Sequence, residues 1–167
     1  MQSTFRNVYR RLKDYFPQAH RELTAAFPVI VGARTLANQV VNNSAAEVNS
    51  ALSVELEAGK AYAISVFAPA TITVTQGIKI DFAGGSLTAT SFVARASFWT
   101  DNAAPQYESI TALNTSVSSI VAGTGFSVEG TLVVATAGTL TLRFAQQAAG
   151  AFDTILLAGS RIIATEL

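Results

Sequence analysis

The feature that most constrains this chain is a two-residue alternation of apolar and polar side chains near its carboxyl end. The apolar phase carries Phe126, Val128, Leu132, Val134, Leu140, Leu142 and Phe144. Residues 135–138, with the sequence ATAG, separate its two halves. Side chains that alternate with a period of two lie on opposite faces of a strand, and one face is then buried. The pattern predicts a half-buried antiparallel hairpin over 126–144.

Similar alternation recurs upstream, in runs such as LSVEL at 52–56 and GIKIDF at 77–82. We count eight or nine short strands at roughly even spacing and no convincing interior helix. This organisation predicts an all-β, antiparallel, jelly-roll-like sandwich over residues 29–167. Pro69 is expected to break one strand, and the glycine steps at 84–85 and 123–125 are expected to form turns.

Residues 1–28 differ from the rest and predict a helical anchor. Its first helix covers residues 3–16 and is stopped by Pro17, and a second short helical turn is expected over residues 18–26. Apolar residues at helical spacing are Phe5, Val8, Tyr9, Leu12 and Phe16, and the basic residues beside them include Arg6, Arg10 and Arg11. A helix of about 14 residues is marginal alone in water, so this stripe needs a surface to pack on. That surface could be the β-domain, sister copies of the helix, or another protein.

The charge composition favours a chain that buries more than its own core. Half of the residues are hydrophobic and 13% are charged, against about 25% in typical soluble domains. The alternative is a monomer with a surface rich in Thr, Ser and Ala. Residues 1–24 carry a net charge of +3 and the remainder −3, which is too weak an asymmetry to favour nucleic-acid binding.

Several classes of site and targeting signal are disfavoured by the residues present. There is no cysteine, so disulfides and thiolate metal sites are excluded. No apolar run approaches a membrane span, and the basic N-terminus lacks the apolar region of a secretory signal. We therefore expect no membrane partner.

The residues that could carry catalysis do not form a recognisable set. His20 is the single histidine, and a metal site or catalytic triad would need partners that it lacks. Glu55 and Glu57 share one face of a strand at a spacing open to a glycosidase pair, but solvated carboxylates beside a turn are the ordinary outcome. Asp101 and Glu108 receive the same interpretation. We expect no enzyme activity, no cofactor and no metal.

Aromatic residues near a polar loop form the candidate ligand or interface surface. Its members are Trp99, Asp101, Asn102 and Tyr107. Exposed Trp and Tyr beside a loop serve as interface anchors or as stacking platforms for sugars. Phe92 and Phe98 have the opposite phase to Trp99 and are expected in the core.

The succession of strand and turn residues resembles a module of accessory virion proteins of tailed bacteriophages. The resemblance rests on LSVELEAGKAYAISVF, TQGIKIDFAGG, TATSFVARAS, VEGTLVVATAGTLTLRFAQ and ILLAGSRIIATEL, and covers roughly residues 50–167. It implies a trimer-forming, jelly-roll-like β-domain on a phage particle, as capsid decoration, head fibre or tail fibre.

Together, the resemblance and the anchor predict a structural virion protein made in the host cytoplasm. The expected partners are sister copies in a homotrimer and the major capsid, neck or tail proteins of the particle. The docking contact would be made by the anchor residues Phe5, Arg6, Val8, Tyr9, Arg10, Arg11, Leu12 and Phe16. The alternative is a receptor- or glycan-binding tail-fibre module.

Overall fold

The computed structural model describes residues 28–73, 75–101, 104–120 and 122–167. Within these ranges the chain forms strands and no helix. The first six strands are β1 (Ile30–Arg34), β2 (Gln39–Val41), β3 (Val48–Leu56), β4 (Ala61–Ile72), β5 (Ile78–Ala83) and β6 (Thr88–Thr100). The other six are β7 (Gln106–Ile110), β8 (Val117–Ser119), β9 (Gly123–Thr136), β10 (Gly138–Ala145), β11 (Thr154–Leu156) and β12 (Arg161–Glu166).

The strands form two antiparallel sheets. The large sheet has the order β1-β12-β4-β9-β6-β7, with β11 pairing β4 and β2. The small sheet has the order β3-β10-β5-β8. Six of the pairings are nested along the chain. From the outside inward they are β1 with β12, β2 with β11, β3 with β10, β4 with β9, β5 with β8 and β6 with β7. For the described residues, the prediction of an all-β fold with antiparallel strands is therefore confirmed.

One apolar core lies between the two sheets. The inward residues of β4 and β9 include Ile64, Val66, Phe126 and Val128, each no more than 1% exposed. The two sheets meet directly at Phe82 and Phe92, whose ring centroids lie 5.4 Å apart with planes at 84°. Burying one such side chain contributes about 1.5–3 kcal/mol. The apolar residues of the alternation seen in the sequence are the residues that lie in this core.

The predicted hairpin over 126–144 is wrong, although its alternation is right. β9 pairs with β4 and β6 in the large sheet, whereas β10 pairs with β3 and β5 in the small one. The chain crosses between sheets at Ala137, and both strands keep their apolar phase toward the same core. A period of two reports which face is buried and does not report the hydrogen-bonding neighbour.

Two further expectations about strand limits are corrected by the structure. Pro69 does not break its strand, since β4 continues to Ile72; the register to β9 shifts just after Pro69, at an irregularity that accommodates the missing N–H. Gly123 and Gly125 lie inside β9 and not in a turn. Gly84 and Gly85 do belong to a turn, which Leu87 N–H closes on the Gly84 carbonyl.

The described part of the chain has more strands than the eight or nine expected. Three of the strands, β2, β8 and β11, have three residues each. Segments this short contain too few alternations to stand out in a sequence.

Candidate interaction surface

The outward face of the large sheet aligns side chains from all six strands of its main path. One row contains, in order across the sheet, Arg34, Arg161, Phe67, Ser127, Ser97 and Tyr107. The neighbouring rows on this face carry Arg95 and Trp99. Strands spaced about 4.8 Å apart make the row about 24 Å long. We call the surface formed by Arg34, Phe67, Arg95, Trp99, Tyr107 and Arg161 the arginine–aromatic face.

Two aromatic rings meet at the centre of this face, across β9. The ring centroids of Phe67 and Trp99 lie 5.1 Å apart with planes tilted by 48°. Gly125 lies beneath them with φ at +148°, and a Cβ there would come within 2.7 Å of the indole and 2.5 Å of the Ala68 carbonyl oxygen. The missing side chain lets the indole rest on the backbone of the sheet, which explains the glycine.

Two arginines of the face stack on aromatic rings. The Arg161 guanidinium carbon lies 4.6 Å from the centroid of Phe67, and that of Arg95 lies 3.9 Å from the centroid of Tyr107. Such contacts contribute about 0.5–1 kcal/mol when exposed. Tyr107 is 53% exposed and Phe67 38%, so the stacked groups remain accessible from solvent.

The small sheet holds its two basic side chains, Lys79 and Arg143, in internal ion pairs. Arg143 donates from Nε to Asp81 Oδ1 at 2.8 Å and also from its terminal nitrogen to the second carboxylate oxygen. The hydrogen bond to Asp81 raises the pKa of Arg143. Lys79 lies 3.0 Å from Glu47. The Ser116 hydroxyl also donates to Glu47, and this hydrogen bond, with help from Lys79, lowers the pKa of Glu47 from 4.5 to about 2.

Two of the four residues of the predicted ligand surface lie together on the arginine–aromatic face. Trp99 is half-buried, and Tyr107 lies opposite Ser97, two residues before Trp99, on the same side of the sheet. Asp101 is exposed just beyond the end of β6. Asn102 falls outside the described residues. Phe92 and Phe98 are buried in the core, as expected.

The predicted docking residues Phe5, Arg6, Val8, Tyr9, Arg10, Arg11, Leu12 and Phe16, and also His20, lie outside the described residues. The sequence did not single out Phe67, Arg34, Arg95 and Arg161, which complete the face. Phe67 and Arg161 meet because β4 pairs with β12, and no local pattern signals a contact between segments so far apart. The one available hint was the alternation along β4, in which Phe67 lies between the buried Val66 and Ala68 and therefore faces outward.

The carboxylates considered for catalysis, Glu55, Glu57, Asp101 and Glu108, are exposed at the surface. Glu55 is exposed and accepts a hydrogen bond from Thr139, and Glu57 is also exposed. In the described ranges no group of three His, Cys, Asp or Glu side chains could hold a metal ion.

A shallow cleft of about 430 Å³ lies between the start of β6 and the loop after β7. Its lining residues are Leu87, Thr88, Ala89, Thr90, Ser91, Phe92, Thr111, Ala112, Leu113 and Asn114. Hydroxyl groups dominate the polar part, and none of these side chains is charged. The cleft lining therefore offers no convergent acid, base or cation.

Comparisons with known proteins give little beyond this geometry. No family model matches, and no curated protein matches. Among solved structures, the chain is similar to one from infectious bursal disease virus, Gx strain, with 12% identity and a TM-score of 0.20. It is also similar to the VP2 subviral particle of that virus, with 9% identity and a TM-score of 0.21. The alignments cover 83% and 84% of this chain, but only 40% and 41% of those chains. TM-scores of this size do not establish a shared fold.

The described residues include no helix with the length and hydropathy needed to span a membrane.

Proposed function

We propose that this protein is a structural virion component of a tailed phage, built on a jelly roll and assembled as a homotrimer. The observation that carries the proposal is the nested pairing of six strand pairs, from β1 with β12 on the outside to β6 with β7 on the inside. Such nesting is what a long hairpin gives when it is rolled into two facing sheets, and jelly rolls of this kind occur in viral capsid and lectin domains. β6 and β7 extend the large sheet.

Fold alone does not assign function, and the surface supplies a second observation in favour of a structural role. Large apolar side chains are exposed at several places on the sandwich, among them Ile30 at 66%, Leu36 at 81% and Ile120 at 59%. An assembly that covers these positions would remove this apolar area from water.

The trimer is tested by the mass of the full chain in dilute solution, measured by light scattering after size exclusion. We expect three times the protomer mass. A monomer at all accessible concentrations would exclude the trimer and leave only particle-bound assembly.

Docking by the N-terminal segment is tested with particles that lack this protein. Full-length protein should co-sediment with them, while a Val8→Glu, Leu12→Glu double variant should keep its oligomeric mass and lose attachment. A variant that attaches as well as the parent would contradict the anchor.

A receptor- or glycan-binding role is the second candidate, and the cluster of Phe67, Trp99 and Tyr107 on one face favours it. Glycan-array binding that disappears with Trp99→Ala would support it. An array with no signal would favour the purely structural role.

A further inference from the structure

We infer that the arginine–aromatic face docks an acidic protein surface. The described chain contains six basic side chains, and they divide by location. Lys60, Lys79 and Arg143 are each ion-paired within the chain. Arg34, Arg95 and Arg161 all lie on the outward face of the large sheet, and within the described part of the chain none of them forms a salt bridge.

The strand register places like charges next to each other, which destabilises the sheet unless an anion from another molecule binds there. Arg34 and Arg161 are direct cross-strand partners, and like charges directly opposite each other destabilise a sheet. Glu129 is the register partner of Arg95, yet Glu129 accepts a hydrogen bond from Ser65 and Arg95 lies over Tyr107. The face therefore keeps a net positive charge while the described residues as a whole are net negative.

Contact with aromatic rings positions Arg95 and Arg161 to bind carboxylates. Arg95 and Arg161 are exposed, and a guanidinium group matches a carboxylate in a bidentate geometry. Because Arg95 and Arg161 are already positioned by Tyr107 and Phe67, less side-chain entropy remains to be lost on binding.

The size and composition of the face favour a protein partner. The arginine–aromatic face lies within the larger outward face of the sheet, which from Ala61 to Pro69 along β4 and across six strands measures roughly 25 Å on each side, on the order of 600 Å². A standard interface covers about 800 Å² per partner. Trp, Tyr and Arg are the residues enriched at binding hot spots. Ile30 and Val93, each 66% exposed, add apolar area around them.

Charge also argues against the occupants available within this chain. A symmetric contact between two copies of the face would bring arginines against arginines. The N-terminal segment, residues 1–24, is itself basic at net +3. A partner that presents carboxylates avoids both conflicts. The inference requires neither the phage assignment nor the trimer, so a monomeric mass would remove the trimer and leave this proposal standing.

The test measures binding of the full chain to immobilised poly-L-glutamate at physiological salt, with alginate as a carboxylated polysaccharide and dextran as a neutral polymer. We expect binding to poly-L-glutamate that weakens at least about tenfold in Arg34→Ser, Arg161→Ser, since one charge-assisted hydrogen bond is equivalent to about a tenfold change in affinity. Phe67→Ala should weaken it severalfold by releasing Arg161. The matched control, Lys13→Ser, Arg21→Ser, removes two positive charges from the N-terminal segment and should change binding less than twofold.

Several outcomes would overturn the inference. No binding to poly-L-glutamate, or equal weakening in the control and the face variant, would remove the face as the site. Preference for alginate would assign the face to a glycan. A change in oligomeric mass with Arg34→Ser, Arg161→Ser would make the occupant another copy of this chain.

Discussion

The outward faces of the two sheets differ in whether their basic side chains have carboxylate partners within the chain. On the small sheet, Arg143 and Lys79 are matched by Asp81 and Glu47 within the same chain. On the large sheet, Arg34 and its cross-strand partner Arg161 have no carboxylate partner in the described chain. On the small sheet, folding gives each basic side chain an ion-pair partner, and these ion pairs stabilise the fold. On the large sheet, folding leaves these arginines without ion-pair partners in the described chain, so their charges are available to a partner.

The largest effect should come from breaking the small-sheet pair. Asp81 is 1% exposed, so Asp81→Ala leaves the Arg143 charge unmatched in a partly buried position and should cost about 3 kcal/mol of unfolding free energy. Urea denaturation measures it. Glu129→Ala, on the large-sheet face, is the matched control and should change stability by less than about 0.5 kcal/mol. Equal decreases would mean that the two faces do not differ.

The next effect concerns the backbone under the aromatic pair. Gly125→Ala places a Cβ against the Trp99 ring and the Ala68 carbonyl, and should cost about 1–3 kcal/mol. Trp99 is the only tryptophan, so its fluorescence should shift as the indole is displaced. Gly59→Ala is the control: Gly59 also has positive φ but open space around it, so it should lose some stability with unchanged fluorescence. Unchanged emission in Gly125→Ala would contradict the packing of Trp99 on β9.

A smaller effect should follow pH. The pKa of Glu47 is lowered to about 2 in the folded chain, so the folded state favours the ionised form. Its stabilisation is present above the ordinary value of 4.5 and is lost as pH falls from about 4.5 to about 2. Because solvent screens this group at the surface, the decrease in stability should be about 0.5–1 kcal/mol.

Unfolding free energies measured across this pH range test the assignment. Glu47→Gln should flatten the difference between about pH 5 and about pH 2.5, and Ser116→Ala should reduce it, because Ser116 supplies the main hydrogen bond. A Glu47→Gln profile that parallels the parent would place the acid sensitivity elsewhere.

The two faces also show how far the sequence alone could lead. Alternation predicted the buried phase of β3 to β6, β9 and β10, because burial follows the side-chain period directly. It misassigned the neighbour of β9, since the same phase serves either sheet. Phe67 and Arg161 were missed for a related reason: their contact exists only through the pairing of β4 with β12. Trp99 was found because it stands next to a loop and out of phase with Phe98.

The smallest effect gives the clearest contrast between the faces. Arg34→Thr removes a charge that has no ion-pair partner in the described chain and lies opposite Arg161, so the unfolding free energy should stay the same or rise by about 0.2–0.5 kcal/mol. Arg143→Thr, the same chemical change on the small sheet, should lower it by about 3 kcal/mol, as Asp81→Ala does, because Asp81 stays buried without its cation. Urea denaturation of both variants at low and high salt decides the point. If Arg34→Thr is as destabilising as Arg143→Thr, the arginines of the large sheet serve the fold and are not held ready for an external acidic partner.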